Sequence, residues 1–436
     1  MPQGEFVITN AQIITCDEEE RVFSQGDIHV KDGKIVGVGP QLPVPPGAKI
    51  FDATGYLAIP GLINAHTHAA MTLFRGFKDD VDLWEWLQEH IWPAEAKLEA
   101  EDVYWGTLLA CIEMLKAGVT TFVDMYFFME QVAEAVAEAG MRAYLAWGIT
   151  DGTDGGAKGL AETEELLARW EDGAEGRIKI LLGPHAPYTC SRKLLERVRD
   201  FALAQGVPVH IHLSETRQEV LDSQRERGVT PVQWLREVGL LHPEIQLIAA
   251  HCVHLTPEDI QLCKEHAVGV VHCLGSNLKL ASGVAPVPEL LEAGVKVSLG
   301  TDGAASNNNL DVLREMRLVA LVHDGIQGKP GLVPASKVLA MATGMGALVL
   351  GRPDLGRLKV GARADIVLLN NTGAHWYPKG DLVSALIYSG NSADVDTVII
   401  DGRFVVSKGK VLTIDEEEVK QEVEKRAWRL RAKTKD

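Results

Sequence analysis

Pro60-Gly61-Leu62-Ile63-Asn64-Ala65-His66-Thr67-His68 is an apolar run that ends in two histidines spaced i and i+2. Side chains alternate faces along a strand, so this spacing predicts both imidazoles on one side of a strand end. Imidazole nitrogen suits zinc, iron and nickel. The pair therefore reads as half of a metal site, although taken alone it reads equally well as an exposed polar strand end. Three further clusters decide between the two.

The first is His210-Ile211-His212-Leu213-Ser214-Glu215, where alternation puts His210 and His212 on one face. The others are Ala249-Ala250-His251-Cys252-Val253 and Ser298-Leu299-Gly300-Thr301-Asp302-Gly303. Three imidazoles and a carboxylate leave a coordination position open for water. A divalent cation there lowers the pKa of that water toward 7. His251 and Asp302 are then placed to shuttle its proton, and Glu215, three residues beyond His212, to act as general acid. Singly, Asp302 reads as a helix N-cap, His251 as a core residue and Glu215 as a solvated loop charge. Their occurrence in order at separate strand ends argues for a metal-dependent hydrolase.

Outward from these clusters, strands and helices alternate over residues 59–355. Strand candidates include 121–124, 142–147, 178–183, 207–213, 245–250, 268–273 and 295–300, with helices such as 101–117, 130–139, 192–205 and 286–293 between them. About eight strand–helix units imply a (β/α)₈ barrel, whose chemistry sits at the carboxyl ends of its strands. Residues 1–58 and 356–415 carry strand patterns with Asp32-Gly33 and Asp401-Gly402 hairpin signals. They predict one small β-sandwich domain built from both chain ends. Residues 416–436 read as a solvated helical tail without chemistry.

The 436 residues suffice for a barrel-sized core plus a smaller domain. A net charge of −17 argues against a nucleic-acid partner. Six cysteines without CxxC spacing suggest reduced thiols. Neither a signal peptide nor an apolar run of membrane-spanning length is evident, so cytoplasm is the expected compartment. Cys252 and Cys273, next to the site in sequence, read as small hydrophobes more than as nucleophiles.

The segments PGLINAHTH, GPHAPYTC, HIHLSET, AAHCVHL and GTDGAASNNNLD together resemble the amidohydrolase superfamily. Within it the chain resembles the 5-methylthioadenosine/S-adenosylhomocysteine deaminases over nearly its whole length. The narrowest signals are His185, Glu215 and the loop Ser306–Asn309. The resemblance implies a divalent ion, zinc with iron(II) as alternative, on His66, His68, His212 and Asp302. It also implies that Glu215 protonates the purine ring nitrogen and that His251 helps activate water. Glu95 would bind the ribose, His185 would contact the substrate beyond the base, and Trp86 would pack the thioether end. His210 is given a supporting role beside His212. The expected reaction is hydrolytic deamination of a nucleoside thioether by a homo-oligomer. The alternative is a sister activity on guanine, cytosine or a triazine, but Trp84, Trp86, Glu95 and His185 argue for a nucleoside-sized pocket.

Two departures matter. Binuclear relatives carry a lysine at the end of the fourth strand, whereas here Lys179 lies near its start, so one metal ion is expected. Relatives also carry loop arginines suited to an amino-acid carboxylate. Here residues 147–160 hold only Lys158, which lacks the bidentate fork of a guanidinium. The homocysteine tail should therefore add little to binding.

Overall fold

The computed structural model describes residues 4–433. Eight parallel strands form the barrel: β1 (Leu62–Thr67), β2 (Val119–Tyr126), β3 (Arg142–Ile149), β4 (Ile178–Pro184), β5 (Val209–Leu213), β6 (Leu247–His251), β7 (Gly269–His272) and β8 (Lys296–Leu299). Each pairs in parallel with the next in the chain. The seam between β8 and β1 is stapled by side chains. Asn64 donates to the Thr301 hydroxyl at 2.7 Å and accepts from the Thr301 N–H at 3.0 Å. The Asp302 N–H then donates to the His66 carbonyl at 3.1 Å.

Alternation sorts the barrel residues. Ile63, Ala65, Val123, Met125, Ala146, Leu181, Ile248 and Val271 pack together inside the barrel. Leu62, Phe122, Leu145, Leu182, Ile211, Ala249, Val270 and Leu299 face the surrounding helices. Strands buried on both faces in this way are what a covered parallel sheet requires.

The second sheet has nine strands drawn from both chain ends, as the paired terminal patterns predict. Phe6–Ile14 is its pivot, pairing antiparallel with Val22–Lys31 on one edge. On the other edge it pairs in parallel with Lys49–Asp52 and then with Tyr56–Pro60. Tyr56–Pro60 also pairs antiparallel with Ile366–Asn370, joining the two ends of the chain. This strand passes directly into β1 through Gly61. A Cβ there would lie 2.1 Å from the Thr120 hydroxyl oxygen, so only glycine fits at this crossing.

The helix Glu416–Lys433 corrects the expectation of a solvated tail. Val419, Val423 and Leu430 on one face are buried. Arg426 and Arg429 bond the fully buried Asp102 of the helix Ala100–Lys116. With its apolar face buried and two arginines anchored on a buried carboxylate, this end of the chain is part of the barrel's outer layer.

Candidate metal centre and substrate cavity

The predicted ligands converge at the carboxyl end of the barrel. His66 Nε2 and His68 Nε2 lie 3.4 and 3.2 Å from Asp302 Oδ1, and His212 Nε2 lies 3.3 Å from His68 Nε2. Metal–nitrogen bonds of about 2.0–2.1 Å at tetrahedral angles place neighbouring ligand atoms roughly 3.3 Å apart. The spacing thus matches one cation at the centre of the four groups.

Tautomers support this. The Nδ1–H of His68 donates to the Met125 carbonyl at 2.6 Å, and that of His212 to the His185 carbonyl at 2.7 Å. Their Nε2 atoms then carry bare lone pairs that face each other, an arrangement that asks for a cation between them. His210 fixes the third. Its Nδ1 meets the Ile248 carbonyl at 3.2 Å, so its Nε2 accepts from His66 Nδ1 at 2.8 Å. The His66 Nε2 atom is left buried without a partner, aimed at the same centre. His210 is therefore placed to orient His66 and does not itself face the centre of the cluster.

Simple alternation turns His210 and His212 inward, with Ile211 facing the helices, but does not explain how the other side chains point inward. Ile63 and Ala65 already face the interior, so His66 on a regular strand would face out. The β1–β2 register slips between Asn64 and Thr67, and such a bulge re-aims the side chain. His68 lies one residue past the end of the strand. On β6, Ile248 faces the interior, so alternation would turn His251 outward. It is turned in by a left-handed backbone, φ +73°, and Asp302 after β8 by φ +61°. Such conformations cost of order 1–3 kcal/mol each and persist where the surrounding structure enforces them.

Asp302 is tightly held. Its Oδ2 accepts from the Ser276 and Ser306 hydroxyls at 2.6 and 2.9 Å, and its Oδ1 from the Gly303 N–H at 2.8 Å. Glu215 is 4% exposed, and its Oε2 lies 3.7 Å from His251 Nε2. Burial, and then the charges of Asp302 and Glu219, push its carboxyl well above the usual range, which favours its protonated, proton-donating form. Burial also drives His251 down to about 3 and His185 down to about 4.

A cavity of about 450 Å³ opens from this centre, lined by Glu95, Trp86, His185, His212, Glu215, His251 and Asp302. The predicted substrate contacts are thus brought together with the metal centre. Glu95 is pushed up to about 7 by burial. The mouth is apolar, with Leu83, Leu87, Trp92, Phe127, Tyr188 and Leu280. No lysine or arginine is among the lining residues. Lys158 instead places its ammonium over the Trp147 ring at 5.8 Å. Trp84 is not a lining residue and packs behind Tyr188, ring centroids 5.0 Å apart.

Trp86 and Glu95 reach the same cavity through an irregular helix. Nine residues in an α-helix span about 900°, which puts the two on opposite faces. Between Leu83–Glu85 and Trp92–Glu95, however, residues Trp86–Ile91 form a π-helical turn, the Trp92 N–H reaching back to the Leu87 carbonyl. Its wider turn advances fewer degrees per residue and re-phases the helix, a device common at functional sites.

Ser276, Asn277, Glu219 and Tyr126 are site residues that the sequence reading passes over. Glu219 accepts the N–H groups of Ser214 and Glu215 at 3.0 and 2.8 Å and so clamps the turn that carries the acid. Its signal was present: Thr216 and Glu219 form the S/T-x-x-E helix-start pattern. Lys179 pairs with Glu171 and Asp172, away from this centre.

A model described as Amidohydrolase family matches residues 57–405. A 5-methylthioadenosine/S-adenosylhomocysteine deaminase of Pelotomaculum thermopropionicum is 48% identical over 97% of this chain and 98% of its own. A 5′-deoxyadenosine deaminase of Methanosarcina barkeri is 45% identical over 98% of each. Among solved structures, an adenosine deaminase from Xanthomonas campestris with bound zinc superposes with a TM-score of 0.94. It is 35% identical and the match covers 98% of this chain and 99% of that one.

Proposed function

The chain belongs to the amidohydrolase family and is a metal-dependent aminohydrolase; we propose that it deaminates 5′-modified adenosines, 5′-methylthioadenosine foremost. S-adenosylhomocysteine, 5′-deoxyadenosine and adenosine share the base chemistry. The observation that carries this reading is a buried Glu215, its carboxyl raised well above the usual range, in one cavity with the proposed metal ligands and a second carboxyl, Glu95. A free base or a triazine would leave Glu95 without a sugar hydroxyl to bind.

His66, His68, His212 and Asp302 hold one zinc ion in this proposal. When bound, the cation makes hydroxide available near neutral pH. Asp302 takes a proton from the attacking water, with His251 facing the same oxygen. Glu215 gives its proton to ring N1 as the oxygen adds to C6, creating a tetrahedral centre. The C6–N bond then breaks, and ammonia leaves with the proton held by Asp302. The proton of the new hydroxyl returns to Glu215, leaving the inosine analogue. Glu95 accepts from the ribose hydroxyls, His185 contacts the substrate beyond the base, and Trp86 packs the 5′ group.

The test is a substrate panel on zinc-loaded protein: methylthioadenosine, deoxyadenosine, adenosine, S-adenosylhomocysteine, guanine and cytosine, followed by loss of the aminopurine absorbance and by ammonia release. Turnover of a free base with none of the nucleosides would overturn the proposal.

A further inference from the structure

His251 can serve the attacking water in two opposite ways, as an acceptor of its proton or as a donor that holds its oxygen, and the tautomer decides which. The ring has one close hydrogen-bonding neighbour. Asn277 Nδ2 lies 2.9 Å from His251 Nδ1. The other rings nearby, His66 and His212, lie edge-on and stacked against it, with centroids 5.4 Å away. Glu215 Oε2, at 3.7 Å, lies on the Nε2 side.

Asn277 is fully buried in the helix Leu274–Lys279, and its Oδ1 has no partner. Turning the amide over would satisfy Oδ1 and strand both N–H groups of the NH₂. Buried orphan donors are rarer than under-satisfied acceptors, so the orientation with Nδ2 donating is the better one. A donor at Nδ1 requires a lone pair there. A neutral imidazole must then carry its hydrogen on Nε2, the atom that faces the cavity.

We propose that Asn277 is a positioning residue that locks His251 as an Nε2–H donor, so that His251 orients the nucleophilic oxygen and leaves its deprotonation to Asp302 alone. The proposal rests on the metal-centred hydrolysis described above, in that His251 faces the attacking water. His251 itself gains and loses no proton in the cycle. This also accounts for the left-handed backbone at His251 (φ +73°): the strand end is bent so that the ring reaches both Asn277 and the water.

Two measurements test it. In the zinc-loaded wild-type enzyme, nitrogen-15 spectra of labelled histidine, assigned by difference against His251→Gln, should show His251 protonated at Nε2. A dominant Nδ1–H form would overturn the proposal whatever the substrate turns out to be. Asn277→Asp can only accept and should switch the ring to Nδ1–H. Asn277→Leu removes the contact altogether. Both should keep one equivalent of zinc and a near-native KM while kcat falls roughly 10–100-fold, the usual loss for a group that orients an active-site imidazole. If Asn277→Asp keeps kcat within about threefold of wild type, His251 works as an acceptor and the proposal is wrong.

Discussion

The metal end of the cavity and its mouth are built on opposite plans. At the metal end each proposed ligand is oriented by a partner of its own: Met125, His185 and His210 for the three imidazoles, Ser276 and Ser306 for the carboxylate. At the mouth the walls are leucine and aromatic rings, and the indole N–H of Trp86 is buried without a partner. One end is fixed in direction by hydrogen bonds, as charge development in a reaction requires. The other is shaped by volume and has few directional demands. Substitutions at the metal end should therefore cost rate, and those at the mouth should change preference.

The comparison can be broken most directly by removing the metal. Dialysis against a chelator should abolish turnover, with recovery on adding one equivalent of zinc; activity that survives in metal-free protein would sink the division. Next, Glu215→Gln should retain zinc and lose roughly 10²–10⁴-fold in kcat, since an amide supplies no proton. The pH profile carries the same sign. Because burial first, and then Asp302 and Glu219, raise the Glu215 carboxyl well above the usual range, its proton is kept to a higher pH than an ordinary carboxyl keeps its own and is lost as the pH climbs past that raised value. The wild-type rate should fall on that alkaline side, and a rate that instead collapses through pH 4–5 as the pH rises would contradict the role.

Smaller effects sharpen the boundary between the two ends. His210→Ala touches no substrate, yet it should weaken zinc binding roughly 10–100-fold, as measured by competition with a chromogenic chelator. Glu95→Gln belongs to the mouth side. It should raise KM for nucleosides by about tenfold or more while sparing kcat, the scale of one charge-assisted hydrogen bond. A kcat loss equal to that of Glu215→Gln would move Glu95 into the chemistry. The smallest difference concerns the substrate tail. With no cation lining the mouth, S-adenosylhomocysteine and methylthioadenosine should agree in kcat/KM within about tenfold, because a distant lysine replaces a guanidinium poorly. A hundredfold preference for the former would reveal a carboxylate-binding group that the lining residues lack.

The same contrast explains what the sequence made legible. The four proposed ligands and Glu215 sit in short contiguous motifs at strand ends, the barrel follows from the alternation of strands and helices between them, and the two-ended sheet follows from the hairpin patterns near both termini. The orientation of the ligands was not readable in that way. The alternation argument placed His66 and His68 on a common side, but the bulge before Thr67 is what turns His66 inward. His251 would face outward but for its left-handed backbone. Asn277 and Ser276 come from another strand–helix unit than the groups they hold, and no local pattern marks them. The tail helix was misjudged because its partner, Asp102, lies more than 300 positions away in the sequence. The mouth was legible only in part: Trp86 and Glu95 line it, whereas Trp84 stands behind Tyr188.

The π-helical turn at Trp86–Ile91 makes the length of this segment a functional quantity in its own right. A turn closed by i→i+5 bonds holds one residue more than an α-turn between the same ends. Deleting a single residue from it would let the helix relax into regular geometry with eight steps of about 100°, which keeps Trp86 and Glu95 in nearly the same relative phase, whereas an α-helix that kept all nine steps would put them on opposite faces. In that second case the acid would face away from the sugar while the metal centre stayed intact. The extra residue and the π-turn thus belong together: a related chain one residue shorter here can present the same two side chains from a regular helix, and it is a regular helix of the full length that would uncouple the recognition of a nucleoside from the chemistry performed on its base.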